Sequence, residues 1–133
     1  MILPGFPRMS MNAPAAPVYV VNGGFDNASG WTLGSGWSIS GGVAVASTAI
    51  TAITRTSNIT LVPGTYRFTF TVLNYVSGTV RPIIAGQNGS ARSSNGTFVE
   101  DIVVSTVSNQ LIGVSAISAF DGQIDNITVE KIA

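Results

Sequence analysis

Between Thr65 and Val76 the chain alternates. Tyr66, Phe68, Phe70 and Val72 take every second position, and Arg67, Thr69 and Thr71 fill the gaps. Successive side chains leave an extended strand on opposite sides, so this pattern predicts a strand with one face packed inward. No part of the chain shows sustained apolar spacing of the helical kind. The chain is therefore constrained to an all-β architecture.

Further strand-like segments follow one another, separated by turn signals. Pro17 to Asn22 is expected as the first strand, closed by Gly23-Gly24. Trp37–Ser40 and Val43–Ser47 flank Gly41-Gly42, a two-glycine hairpin signal. Ile50 to Leu61 reads as one stretch bent near Ser57-Asn58, and Pro63-Gly64 turns it into the alternating strand. Thr79–Ala85, Thr97–Ser105, Gln110–Ser118 and Gln123–Ile132 complete the set, with Gly86–Gly96 as a loop and Asp121-Gly122 as a turn. About eight or nine short strands at this spacing predict an antiparallel jelly-roll β-sandwich over residues 18–133. Its expected core includes Val20, Trp37, Ile39, Val45, Ile59, Tyr66, Phe68, Phe70, Val72, Ile83, Ile102, Val104, Ile112, Val114, Ile127 and Val129.

The first seventeen residues differ in composition. Pro4, Pro7, Pro14 and Pro17 punctuate an apolar segment containing Ile2, Leu3, Phe6, Met9 and Met11. Proline fixes φ and removes a donor, so an extended arm over residues 1–17 is expected. Its apolar side chains are unlike a solvated linker and are the expected anchors on a partner. The prolines also interrupt any secretory leader, so none is expected here.

Composition narrows the function. The chain has no histidine and no cysteine, and only 9% of its residues are charged against 45% hydrophobic. It lacks the imidazole, the thiol and the crowd of ionisable groups on which most enzyme chemistry at neutral pH depends, so no catalytic residues and no cofactor are expected. Six basic residues are scattered and balance six acidic ones, which argues against nucleic acid. No run of about 18 apolar residues marks a membrane span. A positive mean hydropathy of +0.41 at zero net charge then predicts a surface covered by partners, self-association included.

Three segments, in order, resemble the jelly-roll domains of the carbohydrate-binding-module and galactose-binding-like superfamily. Val21-Asn-Gly-Gly-Phe-Asp-Asn leads into a glycine-rich loop with Trp31 and Trp37. Pro63-Gly-Thr-Tyr-Arg-Phe-Thr-Phe resembles the family's central strand, and Phe120-Asp-Gly-Gln-Ile-Asp-Asn-Ile-Thr-Val resembles its last. Similar domains recur in bacteriophage tail and capsid proteins, and this short chain looks more like that group. The resemblance implies a virion structural protein, foremost a capsid decoration or cement protein on the capsid surface, with the major capsid protein or other virion subunits as partners. The alternative it implies is a carbohydrate-binding module adhering to polysaccharide. Fold alone does not choose between them.

Candidate sites follow from both readings. Trp31 and Trp37 are the candidate sugar-stacking residues. Trp37 heads a strand-like Trp-Ser-Ile-Ser, and pinning of the glycine-rich loop is the expected role of both indoles. The resemblance allows a calcium site at Asp26 and Asp125, with Asp121 nearby. Calcium takes six to eight oxygens and the usual further acidic ligands are missing, so turn roles are expected and no metal. Glu100 and Asp101 are adjacent, so a strand sends them to opposite faces and they form no dyad.

Overall fold

In a computed structural model the described residues are 17–133, and all of the regular structure within them is β. The ten strands are β1 (Thr32–Leu33), β2 (Trp37–Ser40), β3 (Val43–Ala49), β4 (Ala52–Thr56), β5 (Gly64–Ser77), β6 (Val80–Ile84), β7 (Gln87–Asn88), β8 (Gly96–Val104), β9 (Leu111–Ala116) and β10 (Phe120–Lys131). They form two five-stranded antiparallel sheets. The first runs β1-β4-β9-β6-β7 and the second β2-β3-β10-β5-β8. This is the expected jelly-roll-like β-sandwich. The expected arm, with Ile2, Leu3, Phe6, Met9 and Met11, lies outside the described residues apart from Pro17.

The core fills the gap between the sheets. Tyr66, Phe68, Phe70 and Val72 of β5 are all buried, as their alternation requires. Ile53 of β4, Ile112 and Val114 of β9, Ile102 and Val104 of β8, and Ile124, Ile127 and Val129 of β10 join the same cluster. Phe68 and Phe70 meet nearly edge-on at 5.9 Å, a favourable aromatic geometry.

Several expectations are corrected. Pro17 to Asn22 forms no strand. Tyr19 instead plugs the end of the sandwich, its ring edge-on to Tyr66 at 5.6 Å and its carbonyl accepting from Asn58 N. Asp121-Gly122 is not a turn between strands; it lies inside β10, where the register shifts. Ile50 to Leu61 is strand only over β4.

Val45 and Ile83 were expected in the core, and both are only half-buried because their strands take the opposite phase. In β3 the inward positions are Ala44, Ala46 and Ala49. Ala46 stands opposite Trp37 and Ala49 opposite Phe120, and those rings lie 6.0 Å apart. Small residues face large rings, so the valines of β3 must turn outward. In β6 the inward row is Val80, Pro82 and Ile84, which leaves Ile83 outside. Val20, Ile39 and Ile59 pack against the core from its margin and are only partly buried.

Candidate functional site

The glycine-rich loop of residues 22–31 is built around one side chain. Asn22 Nδ2 donates to Asn27 O at 2.8 Å and to Ser29 O at 3.1 Å. Its Oδ1 accepts from Asp26 N at 3.0 Å, and its main-chain oxygen accepts from Trp31 Nε1 at 2.9 Å. Ile127 N donates to Gly23 O, which ties the loop to the last strand. Phe25 sits at φ 55 with its ring fully buried against Trp31, 4.7 Å between centroids. Left-handed backbone is costly for a bulky residue, and packing of this ring is what offsets it.

Both tryptophans belong to the core. Trp31 keeps 7% of its surface exposed and Trp37 keeps 6%. Trp37 Nε1 donates to Thr51 O at 2.9 Å. The Arg55 guanidinium covers Trp31 at 5.6 Å and donates to Val21 O. Gly30, at φ +82, faces that guanidinium so closely that a Cβ would collide with it. With their rings inside and their N–H groups satisfied, neither indole presents a face on which a pyranose can stack.

Asp26 and Asp125 do lie on neighbouring segments, through the bond between Gly23 and Ile127. Asp125 Oδ1 accepts from Asn126 N and Asp121 Oδ1 accepts from Thr48 N. Among the described residues no three His, Cys, Asp or Glu side chains gather in a group that could hold a metal ion. No pocket opens among them either.

Glu100 and Asp101 point to opposite faces. Glu100 accepts from Ser90 N and takes Arg92 at 3.4 Å. Arg92 in turn lies over the Phe98 ring at 4.9 Å. Asp101 is gripped by Arg67 on the outer face. That hydrogen-bonded guanidinium holds the Asp101 carboxyl below its ordinary value.

Two surfaces remain that the sequence did not single out. One is the outer face of the first sheet. Arg81 stands there opposite Ser115, which is opposite Ala52; the next row is Ile83, Gly113, Thr54 and Thr32. Arg81 Nε is buried without a partner, and among the described residues no acidic side chain pairs with Arg81. Only the strand register could have placed a lone arginine in a row of small and hydroxyl side chains.

The other surface is aliphatic. Val103 lies opposite Thr65, whose carbonyl accepts from Ile132 N, so Val103 and Ile132 flank the start of β5. Val62 precedes that start, and Val18 O accepts from Asn58 beside the Tyr19 plug. All four are exposed, Val103 by 66%. The expected arm would join the sandwich at this end, where Pro17 begins the described chain.

Among solved structures the fold is similar to a mutant of CBM29-2, a family 29 carbohydrate-binding module, made to probe ligand recognition. The two share 17% identity at a TM-score of 0.50, over 77% of this chain and 82% of that one. The likeness is one of fold. No protein-family model and no curated protein matches the chain.

Proposed function

We propose that this chain is a non-enzymatic assembly module. In its finer form the proposal is a bacteriophage virion protein that decorates the capsid and cements it to neighbouring subunits. The observation that carries it is the exposure of the aliphatic side chains Val18, Val62, Val103 and Ile132 near the start of β5 and the Tyr19 plug, on a domain with only 9% charged residues. Exposed apolar side chains gathered at one place mark contact with other protein. The apolar arm anchors Ile2, Leu3, Phe6, Met9 and Met11 would extend that contact from the same end. Burial of both indoles weakens the main competing site.

The test is genome release on heating. Particles assembled without this protein should lose their DNA at a lower temperature than particles carrying it. Equal heat resistance rejects cementing.

A second reading, glycan binding, is supported by the module-like fold and by Arg81. A guanidinium with no acidic partner among the described residues, beside Ser115 on a sheet face that also carries Thr54 and Thr32, suits a polysaccharide carrying carboxylate or sulfate. Retention on a uronic-acid or sulfated glycan, lost in Arg81→Ala, would favour it; no retention of the wild-type protein would reject it, and equal retention of both proteins would reject the role of Arg81.

A further inference from the structure

We propose that β8 is a pairing edge for a second copy of this chain, which joins it antiparallel across a two-fold axis near Glu100. The second sheet then continues from one molecule into the next. The inference rests on the assembly reading above and names the partner.

The four sheet edges differ. β1 and β7 have two residues each and β2 has four, whereas β8 has nine. Proteins blunt exposed edges with short strands, lysine, proline or bulges. Three of these edges are short. β8 contains neither lysine nor proline, and it pairs with β5 over its whole length without a register shift.

Its outward main chain is free. Thr65 N donates to Ala133 O and Thr65 O accepts from Ile132 N, so Thr65 directs its main chain toward β10. Residues directly opposite in an antiparallel pair either bond each other or both point away. Val103, opposite Thr65, therefore turns its N–H and C=O outward, and so do Asp101, Val99 and Thr97 by alternation. Among the described residues β8 has no strand partner besides β5, and no loop bonds these four main-chain positions.

The side chains permit the approach. Val99 and Val103 are 56% and 66% exposed on the outer face. The two charges of the strand are occupied, Asp101 by Arg67 and Glu100 by Ser90 and Arg92. Neither stands free to repel a neighbour, and the chain carries no net charge. Centring the axis on Glu100 sets Val99 opposite the partner's Asp101, Thr97 opposite the partner's Val103 and Gly96 opposite the partner's Val104. All nine residues are used, and outward-directed positions meet outward-directed positions. An open edge is self-complementary under two-fold symmetry, which is why a second copy fits it.

The experiment uses the full chain and two variants. Val99→Pro removes an amide that no described group uses, at an edge position that tolerates proline. Val103→Lys leaves the main chain intact and adds a charge to the edge. Light scattering should show wild-type protein at twice the mass of the chain, with both variants at half that mass and with unchanged circular dichroism. Amide exchange at Thr97, Val99, Asp101 and Val103 should slow as wild-type concentration rises. Variants that associate like wild type, or four amides that exchange equally fast at every concentration, overturn the proposal. So does protection in a monomer that disappears when residues 1–16 are removed. A monomeric wild type that still stabilises particles overturns the pairing and leaves the assembly reading standing. A paired chain that never joins particles supports the pairing and removes the assembly reading.

Discussion

Arg67 reaches from β5 across to β8 and holds Asp101 through two parallel hydrogen bonds, Nε to Oδ1 at 2.9 Å and Nη2 to Oδ2 at 3.1 Å. Both side chains lie on the outer face of the second sheet, and Glu130 stands opposite Arg67 on its other side. The guanidinium is raised above its ordinary value by the hydrogen bond and charge of Asp101, and the carboxyl is lowered in return.

The sign of the pH dependence follows. A carboxyl depressed by folding adds stability that is complete above its unfolded value and fades as pH falls through the folded one. Asp101→Asn should therefore lower the urea midpoint modestly at neutral pH. The difference from wild type should vanish in acid below the ordinary carboxylate range. Added salt should shrink it, since the pair is exposed. Urea titrations across pH check this; a difference that grows in acid would contradict it.

Asn22 should behave as the keystone of its loop. Asn22→Ala removes its bonds to Asn27, Ser29 and Asp26 together, and a loss of about 1–3 kcal/mol is expected. Fluorescence from Trp31 should shift to the red as its seat loosens. Trp37, bonded to Thr51 on another segment, should report little change. Single-tryptophan versions of the protein separate the two signals.

Trp31→Ala should cost about 3–5 kcal/mol, the usual range for deleting a buried indole. Trp31→Phe should cost less, losing chiefly the bond to Asn22 O. Neither change should selectively remove binding to a neutral glycan. A folded Trp31→Ala protein that loses glycan affinity while keeping its melting temperature would restore the indole as a binding group.

Ala46→Leu tests the packing of β3. The position faces Trp37 and Gly122 across its two neighbouring strands, and a larger side chain must push on the indole. Destabilisation of about 1–3 kcal/mol is expected. Val45→Leu, on the outward side of the same strand, should be nearly neutral. Thermal denaturation of the pair decides whether the phase of β3 is as described.

The sandwich was legible because β5 alternates without interruption and the turn residues punctuate the rest. The misread phases share a cause. β3 carries small apolar residues on both faces, so hydrophobicity alone favours Val45; only the large rings of Trp37 and Phe120 across the strands reveal that alanine must face inward. In β6, Pro82 takes an inward place that sequence reasoning gives to Ile83. The loop of Asn22 was recognisable as a motif, but its hydrogen-bond hub was not, because asparagine in a glycine-rich stretch reads first as a turn residue. Arg81 and the β8 edge were invisible for a related reason. A row across a sheet, or a strand without a neighbour, depends on partners far away in sequence, and one chain of letters does not give their register.

Sedimentation equilibrium of the purified full-length chain tests most directly whether the domain is built for protein contact. The account predicts an average mass that climbs above 13.7 kDa as concentration rises. A mass fixed at that of a single chain at every concentration, in a protein that also binds an oligosaccharide, would contradict it.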